Sequence, residues 1–199
     1  MASRDLDDLY PPLKKEAVKA LKIAKSRGLK ILVTNTWRAP GEQLALWMQG
    51  RKSLDEVNRQ RRLHSLPKIT EEENKKVVTW TRTSYHNAWP KAMAFDFCVV
   101  KDKKAVWSIK VDVNENDIPD YDEFGGICKE VSTNLEYGGD FSTPDRCHVQ
   151  WKNGLSIDQT KKVVKRQASM VGNAMVERKK VRGFKRLKNW ILSFKKRRT

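Results

Sequence analysis

A carboxylate stands in the middle of an apolar strand. The segment Met93-Ala94-Phe95-Asp96-Phe97 continues through Cys98-Val99-Val100, a short apolar run that reads as a buried β-strand. An unpaired charge there costs on the order of several kcal/mol, so any fold of this chain must bring a cation to that strand. An Arg or Lys side chain would serve. So would a metal ion with further ligands nearby.

The rest of the chain is consistent with one soluble domain and an appendage. Its 199 residues are enough to bury a core, and no apolar run approaches the length of a membrane span. The first eight residues are acidic and carry no apolar stretch, so no secretory signal is read there. The net charge of +17 is unevenly placed: residues 160–199 hold fifteen Lys/Arg and one acid, leaving the other 159 residues at only +3. Three scattered cysteines (Cys98, Cys128, Cys147) fit neither a disulfide framework nor a paired-cysteine zinc site. Cys147 precedes His148, but adjacent strand residues point to opposite faces and rarely reach one ion.

Pro11-Pro12 open a helix with Leu13, Ala17, Ala20, Leu21 and Ala24 on one face and Gly28 as its stop. Strands are expected at Leu29–Thr34, Val77–Thr81, Met93–Val100, Ala105–Ser108 after a Lys103-Lys104 turn, and Cys147–Trp151. Helices are expected over Glu42–Gln49, in two surface pieces within residues 51–76 broken by Pro67, and over Tyr121–Asn134, with a Gly138-Gly139 turn following. Strands mixed with helices, without regular βαβ alternation, predict an α+β fold: a small, mostly antiparallel sheet flanked by helices.

His86 lies in Ser84-Tyr85-His86-Asn87, just before the Asp96 strand. His148 begins another apolar strand, in Asp145-Arg146-Cys147-His148-Val149-Gln150-Trp151. Each alone would pass for a hydrogen-bonded core residue. Together, two imidazoles and a carboxylate make the three-ligand set of a hydrolytic zinc, with a fourth position for water. Asp145, three residues before His148, is then placed to act as a general base. His64, in the charged run Arg61-Arg62-Leu63-His64, is expected to face solvent.

The segments Val33-Thr34-Asn35-Thr36-Trp37-Arg38, Glu42-Gln43-Leu44-Ala45-Leu46-Trp47, Gln49-Gly50-Arg51, Ser84 to Asn87, Ala94 to Phe97 and Asp145 to His148 occur in one order. That order resembles the VanY-type D-alanyl-D-alanine carboxypeptidases and the related phage L-alanyl-D-glutamate endopeptidases, over roughly residues 10–155. The resemblance implies zinc held by His86, Asp96 and His148, with Asp145 as catalytic base. It implies that Arg38 stabilises the oxyanion or grips substrate, that Ser84 belongs to the rim of the site, and that Gln43 supports the Arg38 loop, both serving substrate binding. Two departures stand out. The family pattern separates the first His and the Asp by seven residues with a glycine between; here the separation is ten, with Trp89-Pro90-Lys91 in the interval. Gln150 stands where an acid is frequent after His-Val.

A zinc peptidase domain is therefore expected over residues 1–155 and a basic helical tail over 156–199. In the tail Phe184, Leu187, Trp190, Ile191 and Phe194 form one apolar stripe among Lys and Arg. The stripe would either dock on the domain or lie in an anionic membrane or lipopolysaccharide surface through residues 183–198. Nucleic acid is not expected as a partner, since no zinc-finger or RNA-binding motif accompanies the charge. The expected activity is that of a monomeric phage-type lysin acting on the peptidoglycan stem peptide, held in the host cytoplasm until release. D-Ala-D-Ala carboxypeptidase action with the same metal site is the alternative, as is a non-catalytic binding protein using the tail.

Overall fold

The computed structural model describes residues 2–152 together with 158, 159 and 162. Apart from those last three residues, the expected basic tail of 156–199 lies outside the described residues. Helix α1 (Pro11–Ser26) begins on the paired prolines, whose missing N–H groups cost nothing in a first turn. It buries Leu13, Ala17, Ala20 and Ala24, the face that the apolar spacing predicts. After β1 (Ile31–Asn35) come α2 (Pro40–Met48), α3 (Leu54–Leu63) and the short α4 (Glu71–Asn74). Capping boxes at Ser53/Glu56 and Thr70/Glu73 start the last two.

Strands β2 (Ala94–Lys101) and β3 (Lys104–Val106) form a hairpin, followed by α5 (Asp120–Val131), β4 (Leu135–Tyr137) and β5 (His148–Trp151). All pairings are antiparallel, in the order β1-β2-β5-β4, with β3 also on β2. The α+β architecture is as the sequence predicts.

Alternation along β2 gives the sheet two characters. Phe95, Phe97 and Val99 enter a core shared with Leu13, Ala17 and Ala20 of α1 and with Tyr121, Phe124 and Ile127 of α5. Asp96, between them, turns to the other face. There the register places Asn35 of β1 and His148 of β5 opposite Asp96 on its two sides. A bulge supplies the first of these. Thr34 is the extra residue between the pairs Val33–Phe97 and Asn35–Asp96, and an inserted residue of this kind re-aims its neighbour.

Two expectations are corrected, and one element is added. Val77–Thr81 is not a strand. Its carbonyls go to side chains instead, Thr79 O accepting from Arg51 Nη1 (3.0 Å) and Thr81 O from Gln43 Nε2 (2.7 Å), and Val78 is exposed. The hairpin turn falls on Asp102-Lys103, which carry φ of 50° and 62°, one residue earlier than Lys103-Lys104. The segment before Gly138-Gly139 is itself a strand, β4, too short for an alternation to declare it.

Candidate metal centre and active site

His86 is carried by a single 3-10 turn, Tyr85–Asn87, capped by Ser84, whose Oγ accepts from the His86 N–H. The turn is tied to the Arg38 loop from both sides. Arg38 N donates to His86 O (3.0 Å) and Asn87 Nδ2 donates to Arg38 O (2.7 Å). The ring is buried, and its Nδ1–H donates to the Thr36 carbonyl at 2.7 Å, which fixes the tautomer and leaves the Nε2 lone pair free. His148 mirrors this arrangement with its nitrogens exchanged. Its Nε2–H donates to Gln150 Oε1 at 3.1 Å, so the Nδ1 lone pair is the free one.

Both lone pairs meet Asp96. His86 Nε2 is 3.1 Å and His148 Nδ1 2.9 Å from Asp96 Oδ1, and the two nitrogens are 3.3 Å apart. Atoms bound about 2.0–2.1 Å from a tetrahedral zinc stand about 3.3 Å from one another, close to this triangle. Among the described residues these three form the one group in which three His/Cys/Asp/Glu side chains bring their ligand atoms within 4.8 Å of one another. The donor set fits such an ion on chemical grounds as well. Two imidazole lone pairs and a carboxylate oxygen repel one another unless a cation, proton or metal, lies between them.

The other oxygen of Asp96 answers to the protein. Asn35 Nδ2 donates to Oδ2 at 2.9 Å and the Arg38 guanidinium lies 3.4 Å away. Both cations considered for Asp96, an arginine and a metal-type site, therefore have a place, one on each oxygen. Burial works most strongly against ionisation of Asp96, yet the His86 and His148 rings reverse it and hold the carboxyl well below the usual carboxylate range. At His148 burial pulls the proton affinity down, and the Asp96 hydrogen bond and charge outweigh it, so the ring titrates above an ordinary histidine.

Arg38 is held by Gln43, whose Oε1 accepts from Nη1 at 2.8 Å while its Nε2 donates to Thr79 Oγ1 and Thr81 O. Gln43 is fully buried and supports the loop from behind. Asp145 lies exposed at the start of the turn that leads into β5, its carbonyl accepting from His148 N and its Oδ1 from the Cys147 thiol at 3.1 Å. Burial and the neighbouring Asp145 push the Cys147 thiol far up, and the thiol donates to that acid and lies outside the His86, Asp96 and His148 group. His64 does not face solvent freely. It is half-buried, with its ring against Gly41, where an added Cβ would come within 2.0 Å of Nε2.

The ten-residue interval from His86 to Asp96 is closed at its base. Met93 N donates to Tyr85 O at 2.9 Å, Ala92 N to Asp8 O at 2.8 Å, and Ala88 and Ala92 are buried. Of the residues between, Trp89 has most of its surface exposed, while Pro90 and Lys91 are half-buried. Gln150 is likewise more than a lost charge. Its Nε2 donates to Glu136 Oε2 at 2.7 Å, so a carboxylate reaches His148 through one intervening amide. The register pairing Glu136 with Gln150 makes this contact, and no sequence spacing announces it. Asn35 and the Thr36 carbonyl also escape sequence reasoning, although both lie within a motif segment that it singles out.

Two imidazoles and an aspartate around one point, with an acid and an arginine nearby, make a group that could hold a metal ion. No protein-family model matches the chain. It is 30% identical over 137 residues to the peptidoglycan L-alanyl-D-glutamate endopeptidase CwlK of Bacillus subtilis (strain 168), covering 67% of each protein. A crystal structure of the Serratia marcescens L-Ala D-Glu endopeptidase ChiX overlaps 76% of this chain and 88% of its own, with 16% identity and a TM-score of 0.46. On the first of these matches, the chain belongs to the VanY-type peptidase family that its motifs resemble.

Proposed function

We propose that the chain is a zinc-dependent peptidoglycan endopeptidase that hydrolyses the stem peptide between L-Ala and D-Glu. The activity named for its Bacillus relative supports the substrate. One observation in the chain itself carries the reading: the free lone pairs of His86 and His148 converge with Asp96 Oδ1 on one point. Those three residues would hold the ion and leave a fourth position open. The chemistry that zinc supplies in such a site is polarisation of the scissile carbonyl and a lowered pKa for water.

The residues around it divide the remaining work. Asp145 takes a proton from the attacking water and delivers it to the leaving amine. The Cys147 thiol occupies its Oδ1, which leaves Oδ2 as the proton acceptor. Arg38, clamped by Gln43 and part-neutralised by Asp96, stabilises the oxygen on which charge develops. Ser84 and Gln43 act by holding His86 and Arg38 in place.

The test is digestion of purified peptidoglycan by zinc-loaded protein, with mass spectrometry of the products and bound-metal stoichiometry. Peptides with a newly exposed D-Glu amine and about one zinc per chain are expected. Release of terminal D-Ala alone would move the assignment to the carboxypeptidase branch. Protein that binds no zinc and cuts nothing would overturn the enzyme reading.

A further inference from the structure

A second group of oxygen ligands lies between β3 and α5, away from the histidines. From Asp112 the chain runs Asp112-Val113-Asn114-Glu115-Asn116-Asp117-Ile118-Pro119-Asp120-Tyr121-Asp122-Glu123. Side-chain oxygens fall at the first, third, fifth, ninth and twelfth places, ending in Glu. These are the ligand places of the calcium loop of an EF-hand, whose seventh place contributes a backbone carbonyl. Only the following helix, α5, is present; the element before the loop is the β3 hairpin.

The backbone takes the matching path. Asp117, at the sixth place where such loops need a sharp turn, has φ of 65°. The Asp112 carboxylate accepts from the N–H groups of Asn116 (3.2 Å) and Asp117 (2.9 Å). Across the loop, the Nδ2 groups of Asn114 and Asn116 both donate to one oxygen of Glu123, at 3.0 and 2.9 Å. The side chains at the third, fifth and twelfth places thus already meet, with the amide N–H groups turned to the carboxylate and the Asn116 oxygen accepting from Ile118 N.

Independently of loop shape, two buried oxygens here have no partner: Oδ1 of Asp120 and Oδ1 of Asn114. Asp120 is wholly inaccessible to solvent, and only its Oδ2 is satisfied, by Val113 N at 3.0 Å. Burial, and then the charges of Asp112 and Glu123 beside it, push its carboxyl up. Among the described residues, none of Asp112, Asp120 and Glu123 makes an ion pair, whereas their neighbour Asp122 is paired with Arg146. A wholly buried carboxylate oxygen without a partner, in a loop that carries two further carboxylates outside any ion pair, is a strong demand for a cation.

We propose that Asp112, Asn114, Asn116, Asp120 and Glu123, with the Ile118 carbonyl, form a binding site for a hard, oxygen-seeking divalent cation, and that this cation is calcium. Six or more oxygen ligands in a flexible loop suit calcium better than magnesium, which demands a tighter octahedron and keeps its waters. With amides in two of the ligand places, the affinity belongs to the weak end of such loops, at a Kd of about 10⁻⁵ to 10⁻³ M.

Calorimetric titration and thermal melting of the full chain, saturated first with zinc to block the histidine site, will test this. Calcium chloride should give one saturable binding event. At about fifty times Kd it should raise the melting temperature by about 5–9 °C. Glu123→Gln and Asp112→Asn should each abolish that rise, and without calcium they should melt no lower than the parent, because each removes a like charge. No binding to the parent, an equal rise in both variants, or an equal response to magnesium would each overturn the assignment. None of these readouts depends on hydrolysis, so the result stands apart from the outcome for the peptidase.

Discussion

The two faces of β2 are built from alternate residues of one strand, yet they answer to different forces. Phe95, Phe97 and Val99 are wholly buried against α1 and α5, and their contribution follows from apolar area removed from water. Asp96, between them, touches two imidazoles, an amide and a guanidinium, and its cost or benefit depends on what cation is present. The core face makes the sheet stable whatever is bound. The polar face carries the candidate metal ligands, held in register by the sheet.

Substitutions on each face should separate these roles. Asp96→Ala, which removes the ligand shared by both rings, should lose zinc and all measurable hydrolysis while the apo protein stays folded, as metal analysis and circular dichroism will report. Full activity in that variant would break the contrast. Phe97→Ala should do the opposite, costing about 3–5 kcal/mol in denaturant unfolding while zinc still binds to the fraction that folds. Asp145→Ala should keep zinc and lower kcat by about 10²- to 10⁴-fold. Gln150→Ala cuts His148 off from Glu136 and should weaken zinc binding by about 10- to 100-fold, with Gln150→Glu restoring most of it.

The smallest effect should be one of pH. The depressed carboxyl of Asp96 contributes stability above its unfolded pKa of about 3.9, lost as pH falls through the folded value. The raised ring of His148 contributes stability that is complete below about pH 6.5 and lost as pH rises through its folded pKa. Zinc must displace that proton. The rise in melting temperature on adding zinc should therefore grow between about pH 5.5 and 8, and a flat profile would count against His148 as a ligand.

Legibility followed how local each feature is. Asp145 and His148 lie within four residues, and α1 declares itself by spacing; both are plain in the sequence. His86 and Asp96 could each be suspected, but their convergence with His148 depends on a strand register and a bulge at Thr34, which arise only when the sheet assembles. Val77–Thr81 misled because β-branched composition does not reveal that Arg51 and Gln43 will occupy the carbonyls. Gln150 looked like a missing charge because Glu136 becomes its neighbour only by pairing across β4 and β5.

The tie from Met93 N to Tyr85 O has a consequence for how such a chain can vary. It fastens the segment at its neck, so the number of residues beyond the neck does not set the distance between His86 and Asp96. Insertion or deletion there alters an overhang, at a cost that grows only slowly with length. A seven-residue and a ten-residue interval can therefore present the same pair of ligands. The surplus is free to diversify on its own schedule, and in this chain it has placed a tryptophan, Trp89, where it packs edge-on to Trp37 at 5.7 Å, immediately before Arg38 in the chain.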